Sequence, residues 1–143
     1  IYLEGFLAFE KVPQAFSSDA LKIGGNPEKV TNIGEIAITD SRVKRDNWLL
    51  EAHLVDSNFV NTASGTSKAL TASNNFFYYQ LDGQITSIST EPVTISRSNP
   101  TDTATRITVN QEQANGFYFN PNNSMGIGTY RGKIQWNLIS APT

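Results

Sequence analysis

The chain has 143 residues, a formal net charge of −2 and a pI of about 5.3, so it offers no broad basic field for nucleic acid or an anionic membrane. It has no cysteine and one histidine, His53, which excludes disulfides, thiolate metal sites and a multi-histidine zinc site within the chain. We expect no cofactor and no bound metal. No stretch approaches the ~20 apolar residues of a membrane span, so we expect no membrane insertion. The length suits a single domain over residues 1–143 with one core.

Alternation of apolar and polar residues with period two dominates the sequence, and no window carries a helical apolar repeat over a helical length. This pattern predicts an all-β domain. The candidate strands in chain order are Leu3 to Phe9, Glu35 to Thr39, Trp48 to Val55, Phe76 to Leu81, Gln84 to Ser89, Pro92 to Ser96, Thr105 to Asn110, Gly116 to Phe119 and Tyr130 to Ile139. About nine short strands of this kind predict an antiparallel β-sandwich or a flattened barrel.

Two of these candidate strands have the clearest alternation. In the earlier one, Trp48, Leu50, Ala52 and Leu54 share one face, which we predict to be the core face. The last strand is long and amphipathic, and we predict that it lies centrally in a sheet. Its core-facing residues are Tyr130, Gly132, Ile134, Trp136 and Leu138.

Two connecting segments carry different signals. Asp82-Gly83 separates two candidate strands and readily supplies the two positive φ angles of a type I′ turn, so it predicts a two-residue hairpin. Thr62 to Leu70 is small and polar, and the sequence leaves open whether it forms a loop or one short helical turn.

Both tryptophans of the chain occur as Trp-x-Leu inside alternating strands, as Trp48-Leu49-Leu50 and Trp136-Asn137-Leu138. This pair resembles the two motifs that name the WxL domain family. The first block consists of Ile36 to Arg42 and Asn47 to Ala52. It resembles the family's V-x-D-x-R run followed by a G-W-x-L-x-A strand, with Asn47 where the family often has Gly. The second block, Tyr130 to Leu138 followed by Ala141-Pro142, resembles the family's Y-x-x-x-L-T-W-x-L-x-x-A-P ending, with Gln135 where the family often has Thr.

The resemblance implies a secreted, non-catalytic domain that attaches its protein non-covalently to peptidoglycan, or to an associated wall polymer, on a Gram-positive cell surface. It also implies a membrane-anchored WxL-interacting protein as a further partner. The alternative is a structural interaction domain that docks on such a partner or on another surface protein, with indirect retention on the wall. An enzyme would need paired acids, a metal site or a Gly-x-Ser-x-Gly elbow, and the sequence contains none of these constellations.

The residues that carry the two motifs are the first candidates for binding, namely Trp48, Leu50, Trp136 and Leu138. Residues i and i+2 of a strand point the same way, so one interpretation is that each tryptophan packs in the core together with its leucine. The alternative is an exposed platform on which sugar rings stack. Neither motif has enough apolar neighbours in sequence to cover an indole, so we expect the two motif strands to lie side by side or directly across the core.

Five basic residues flank the motif strands, namely Arg42, Lys44, Arg45, Arg131 and Lys133. If the strands are neighbours, we expect these cations to converge on one edge as a positive stripe for an anionic wall polymer. The alternative is that they are solvated charges that discourage aggregation of strand edges. Within the first cluster, Asp40 is expected to pair with Arg42. His53 falls on the non-core face of its strand and is expected to be an ordinary surface histidine.

Overall fold

A computed structural model of the chain describes residues 5–22, 24–56, 58–62, 65, 67–69, 75–99, 101–121 and 128–141. Over these ranges the chain forms strands and no helix, which confirms the all-β prediction. The strands are β1 (Leu7–Lys11), β2 (Ala15–Ser17), β3 (Glu28–Lys29), β4 (Ala37–Asp40), β5 (Asn47–Leu54), β6 (Asn58–Asn61), β7 (Ser67–Ala69), β8 (Phe77–Leu81), β9 (Gln84–Ser87), β10 (Val93–Arg97), β11 (Arg106–Thr108), β12 (Gly116–Phe119) and β13 (Tyr130–Ala141).

The strands form three antiparallel sheets that do not close into a barrel. The first has the order β1-β4-β11 and the second the order β3-β12-β8-β9. The third and largest has the order β10-β5-β13-β6-β7, and β2 also pairs with β13. The architecture is therefore a β-sandwich, as one of the two sequence alternatives proposed.

The two motif strands, β5 and β13, are antiparallel neighbours at the centre of the largest sheet. Leu138 lies opposite Leu50, and Trp136 lies opposite Ala52. The prediction that these strands lie side by side is confirmed, and so is the predicted central place of the last strand.

An aromatic cluster fills the core between the largest sheet and the β3-β12-β8-β9 sheet. Phe16 from β2 packs against Phe77 from β8 and Phe117 from β12, with ring centroids 4.8 and 4.9 Å apart. Phe59 from β6 packs edge-on against Phe119 at 5.4 Å. All five rings are buried. Offset and edge-on aromatic pairs stabilise by about 0.5–1.5 kcal/mol beyond the area they bury, so this cluster holds the two sheets together.

The β8–β9 connection is the two-residue hairpin that the sequence predicts. Asp82 has φ 50° and Gly83 has φ 82°, and Leu81 pairs with Gln84 across the turn. Positive φ at both central positions is the mark of a type I′ turn, whose twist matches that of the flanking strands.

Four short strands were not predicted, namely β2, β3, β6 and β7. The assignment of Thr62 to Leu70 as a loop or helical turn is wrong at Ser67–Ala69, which forms β7 and pairs with β6. Residues 63, 64, 66 and 70 lie outside the described part of the chain, as do Leu3 and Glu4 of the first candidate strand. These strands are two to four residues long. Backbone pairing holds such short strands without an alternating side-chain pattern to reveal them.

Candidate functional site

Both motif tryptophans are core residues, with Trp48 3% exposed and Trp136 6% exposed. The Trp136 ring packs against Phe16 and, edge-on, against Phe117, with centroids 6.3 and 6.0 Å apart. Its indole N–H donates a hydrogen bond to the carbonyl oxygen of Pro13 at 2.6 Å. The core interpretation of the motifs is therefore confirmed, and the exposed sugar-stacking platform is wrong.

The motif leucines share this structural role. Leu50 is fully buried, and Leu138 is half-buried against the same core. The two indoles are not neighbours, because Trp136 lies opposite Ala52 while Trp48 lies opposite Ser140. Four residues of strand, roughly 13 Å, separate them along the sheet. The four motif residues thus position β5 and β13 rather than form a joint binding surface.

The five flanking cations do not converge, so the single positive stripe that the sequence predicts is wrong. Arg42, Lys44 and Arg45 precede β5 and lie at the end of β13 that carries Ser140; the Arg42 guanidinium donates to the Ser140 hydroxyl at 3.1 Å. Arg131 lies near the opposite end of β13, nine residues and roughly 30 Å away along an extended strand.

In the first group of cations, Arg42 and Arg45 already donate hydrogen bonds to other parts of the protein. Arg42 donates from Nε to Asp40 Oδ1 at 3.0 Å and from Nη2 to Asp40 Oδ2 at 3.2 Å, which confirms the predicted pair. Burial of Asp40, which is 1% exposed, would raise the pKa of its carboxyl, but the hydrogen bonds and charge of Arg42 outweigh it and hold that pKa below its usual value. Arg45 donates to the carbonyl oxygen of Ala104 at 2.9 Å. Lys44 is exposed.

Arg131 and Lys133 differ from Arg42 and Arg45 because no carboxylate of the described residues lies within ion-pair distance of either. Both are exposed and lie on the outer face of β13. Val60, opposite Arg131, and Val55, whose N–H donates to the carbonyl oxygen of Lys133 at 3.1 Å, are exposed apolar neighbours. Two cations and aliphatic surface therefore share one patch.

A groove of about 390 Å³ runs beside this patch, and we call it the Lys133 groove. It is lined by Phe9, Val12, Gln14, Val55, Lys133, Ile134, Gln135 and Trp136. Sequence reasoning named Lys133 and Trp136 but missed the apolar residues. Val55 gave a signal, because it is an apolar residue on the polar face of a predicted strand, and it is 52% exposed.

A larger cleft of about 690 Å³ lies between β3 and β11. Its cation, Lys29, donates to the carbonyl oxygens of Gln111 at 2.6 Å and Gln113 at 2.7 Å. Glu35 and Glu112 also line the cleft. Because the ammonium group is held by backbone and the remaining charges are acidic, this cleft is a poorer site for an anion than the Lys133 groove.

His53 is half-buried, and its Nδ1 atom is buried without a hydrogen-bond partner in the described part of the chain. The expectation of an ordinary surface histidine is therefore wrong, because the ring is partly buried on the face that the sequence predicts to be exposed. A catalytic histidine is usually oriented by an acid on one ring nitrogen, and Nδ1 has no such acid. Among the described residues no three His, Asp or Glu side chains cluster to hold a metal.

Two runs of adjacent aromatic residues, Phe76 to Tyr79 and Phe117 to Phe119, are mostly buried. Tyr79 is buried and its hydroxyl donates to the carbonyl oxygen of Asn110 at 2.8 Å; burial raises its pKa to about 12. On the outer face Tyr78 stacks on Tyr118 at 5.3 Å, and only Tyr118 is half-exposed. The outer pair thus offers little free ring surface to a glycan.

The described residues include no helix long and apolar enough to cross a membrane. Comparisons with protein-family models, curated proteins and solved structures give no match to this chain. Its function is therefore inferred from the motif resemblance and from the surfaces above.

Proposed function

We propose that this domain is a non-catalytic surface module that attaches its protein non-covalently to Gram-positive peptidoglycan or an associated wall polymer, and that the polymer contacts the Lys133 groove. One observation carries the choice of surface. Arg131 and Lys133 are exposed cations without an acidic partner in the described residues, and they adjoin exposed aliphatic side chains.

The chemistry of this patch fits anionic, partly apolar chains. An ammonium and a guanidinium bind the carboxylates of stem peptides or the phosphates of wall polymers, and Arg can do so with two parallel hydrogen bonds. Val55 and Phe9 add apolar surface for small side chains such as the methyl group of alanine. Exposed ion pairs contribute only about 0.2–1 kcal/mol each. Retention on a wall therefore depends on many weak contacts along a repeating polymer.

The WxL-like motifs support this proposal through the fold. Trp136 is anchored to Pro13 and to the aromatic core, and this fixes β13, the strand that carries both cations. The second motif thus supports binding by fixing the strand, and Trp136 itself also lines the Lys133 groove.

Binding to sacculi stripped of protein tests the proposal. The double variant Arg131→Gln/Lys133→Gln, which we call the groove variant, removes the cation that lines the groove and the adjacent Arg131. Lys22→Gln/Lys44→Gln is the matched control, because it removes two exposed cations elsewhere. We expect the groove variant to bind about 3- to 30-fold more weakly at low salt, from two contacts of up to about 1 kcal/mol each. The control should bind like the parent, and the parent should lose binding in high salt.

Two results would contradict the proposal. If the groove variant binds stripped sacculi as well as the parent at both salt concentrations, the Lys133 groove is not the contact surface. If the parent itself does not bind stripped sacculi, direct wall attachment is wrong. Retention through a membrane-anchored partner protein then becomes the better hypothesis.

A further inference from the structure

The second half of β13 has backbone groups that face away from β5. On the β5 side, the N–H of Val55 donates to the carbonyl oxygen of Lys133. On the opposite side, the N–H of Ile134 donates to the carbonyl oxygen of Gln14 at 2.9 Å. Backbone direction alternates along a strand, so the N–H and C=O groups of Leu138 and Ser140 also point to the side opposite β5.

In the described part of the chain, that side of β13 has a paired strand only at its beginning. β2 pairs with Arg131, Gly132 and Lys133, and no strand of the described residues pairs there beyond Ile134. The amide of the Gln135 side chain donates to the carbonyl oxygen of Trp136 at 3.2 Å. The backbone groups of Leu138 and Ser140 that face this side therefore have no strand partner among the described residues, and we call this stretch the open edge.

This edge lacks the features that usually protect a strand from pairing with another chain. Charged side chains, proline and bulges are the common protections, and the stretch from Gln135 to Ala141 has no charged residue and no proline. The edge strands β1, β10 and β11 carry charges, for example Arg97 and Arg106. Ile139 is 40% exposed beside the open edge.

We propose that this edge pairs antiparallel with the same edge of a second copy of the chain, about a two-fold axis at Leu138. Leu138 then faces Leu138 of the second copy in a hydrogen-bonded pair, and Ser140 faces Trp136. An isologous contact must match itself. This edge does so without opposing like charges from its own strand, because no residue from Gln135 to Ala141 is charged. The guanidinium of Arg42, which donates to the Ser140 hydroxyl, belongs to the segment before β5. The partner strand is β13 of the second copy, so it has the same length, and the two-fold axis at Leu138 fixes the register.

Pairing at this edge joins the largest sheets of two copies into one continuous sheet. The two Lys133 grooves then belong to one particle, which raises the effective concentration of the second groove on a repeating polymer. The dimer does not depend on the proposed wall attachment and does not use Arg131 or Lys133, but its edge borders the Lys133 groove, because Trp136 belongs to both. A contact built on one strand edge is small, so the dimer forms in a concentration-dependent manner.

Sedimentation velocity over a concentration series tests the dimer. We expect the mass of the parent to rise from 15.7 kDa towards twice that value as the concentration rises from about 1 µM to about 1 mM. Ser140→Pro removes an edge N–H and leaves the β5 ladder intact, because the backbone of Ser140 points away from β5. Ile139→Lys places a charge beside the edge. Each variant should weaken the dimer by about tenfold or more.

Ile85→Lys is the matched control, because Ile85 is an exposed isoleucine on the edge strand β9. It should dimerise like the parent. Circular dichroism and a cooperative melt verify that each variant is folded, and Ile139→Lys decides the question if Ser140→Pro does not fold. A parent that stays monomeric over the whole series overturns the proposal, as does a dimer that the folded edge variants leave unchanged.

Discussion

Gly132 is the position at which a single methyl group should most clearly disturb the core. A Cβ atom there would lie 2.6 Å from Cε1 and 2.7 Å from Cδ1 of Phe59. The Phe59 ring has no room to retreat, because it is fully buried and packs edge-on against Phe76, Phe77 and Phe119 at 5.2–5.5 Å. Overpacking a core typically costs 1–3 kcal/mol, and the rigid ring places this case at about 2–3 kcal/mol.

Gly132→Ala should therefore lower the Tm by about 6–12 °C in a domain of this size, measured by calorimetry or by circular dichroism. Asn137→Ala on the outer face of the same strand is the control and should melt close to the parent. A double-mutant cycle with Phe59→Leu isolates the contact, since the smaller side chain should absorb part of the clash. An unchanged melt for Gly132→Ala, or an equal cost in the Phe59→Leu background, would refute the proposed clash.

Two further substitutions test the packing and the electrostatics around the motif strands. Trp136→Ala should destabilise the domain by about 3–5 kcal/mol, whereas Trp136→Phe, which mainly loses the hydrogen bond to Pro13, should cost about 1–2 kcal/mol; a Trp136→Ala variant that melts like the parent would contradict the core assignment. Asp40→Asn should cost about 1–3 kcal/mol at pH 7. Because Arg42 lowers the native pKa of Asp40, this stabilisation is present above the ordinary value of 3.8 and is lost as the pH falls through the native pKa. Urea unfolding should show that the free energies of unfolding of the parent and of Asp40→Asn differ less near pH 3 than at pH 7. The same difference at both pH values would contradict the ion-pair interpretation.

The sequence predicts the parts of the fold in which side chains alternate over a long stretch. β5 and β13 have one apolar face over most of their length, and the type I′ hairpin has Asp82-Gly83. Alternation of side chains does not predict the short strands, because backbone hydrogen bonds hold them. β7 is held by backbone hydrogen bonds to β6, and backbone groups are the same in every residue.

The predicted stripe failed because the sequence does not state the relative direction of two paired strands. Arg42 precedes β5 and Arg131 begins β13, so parallel pairing would have brought the two ends together. The pairing is antiparallel, with Leu54 opposite Ile134, and it sends the two groups of cations to opposite ends. Arg131 and Lys133 then remain together as a local patch without acidic partners in the described residues.

The register of β5 and β13 also explains why a tryptophan and a leucine recur together in both strands. Leu50 and Leu138 lie directly opposite each other. Because their backbone groups point away from the partner strand, they form a non-hydrogen-bonded pair, in which side chains approach most closely. Trp136, two residues from Leu138, lies opposite Ala52, whose small side chain leaves room for the indole.

The same relation holds on the other side of the leucine pair, where Trp48 lies opposite Ser140. Each strand therefore repeats one order, a tryptophan, then a leucine two residues on, then a small residue after two more. When two such strands pair antiparallel about their leucines, each indole meets the small residue of the other strand. One Trp-x-Leu strand cannot complete this arrangement alone, so the second motif at the end of the chain is needed to close the core.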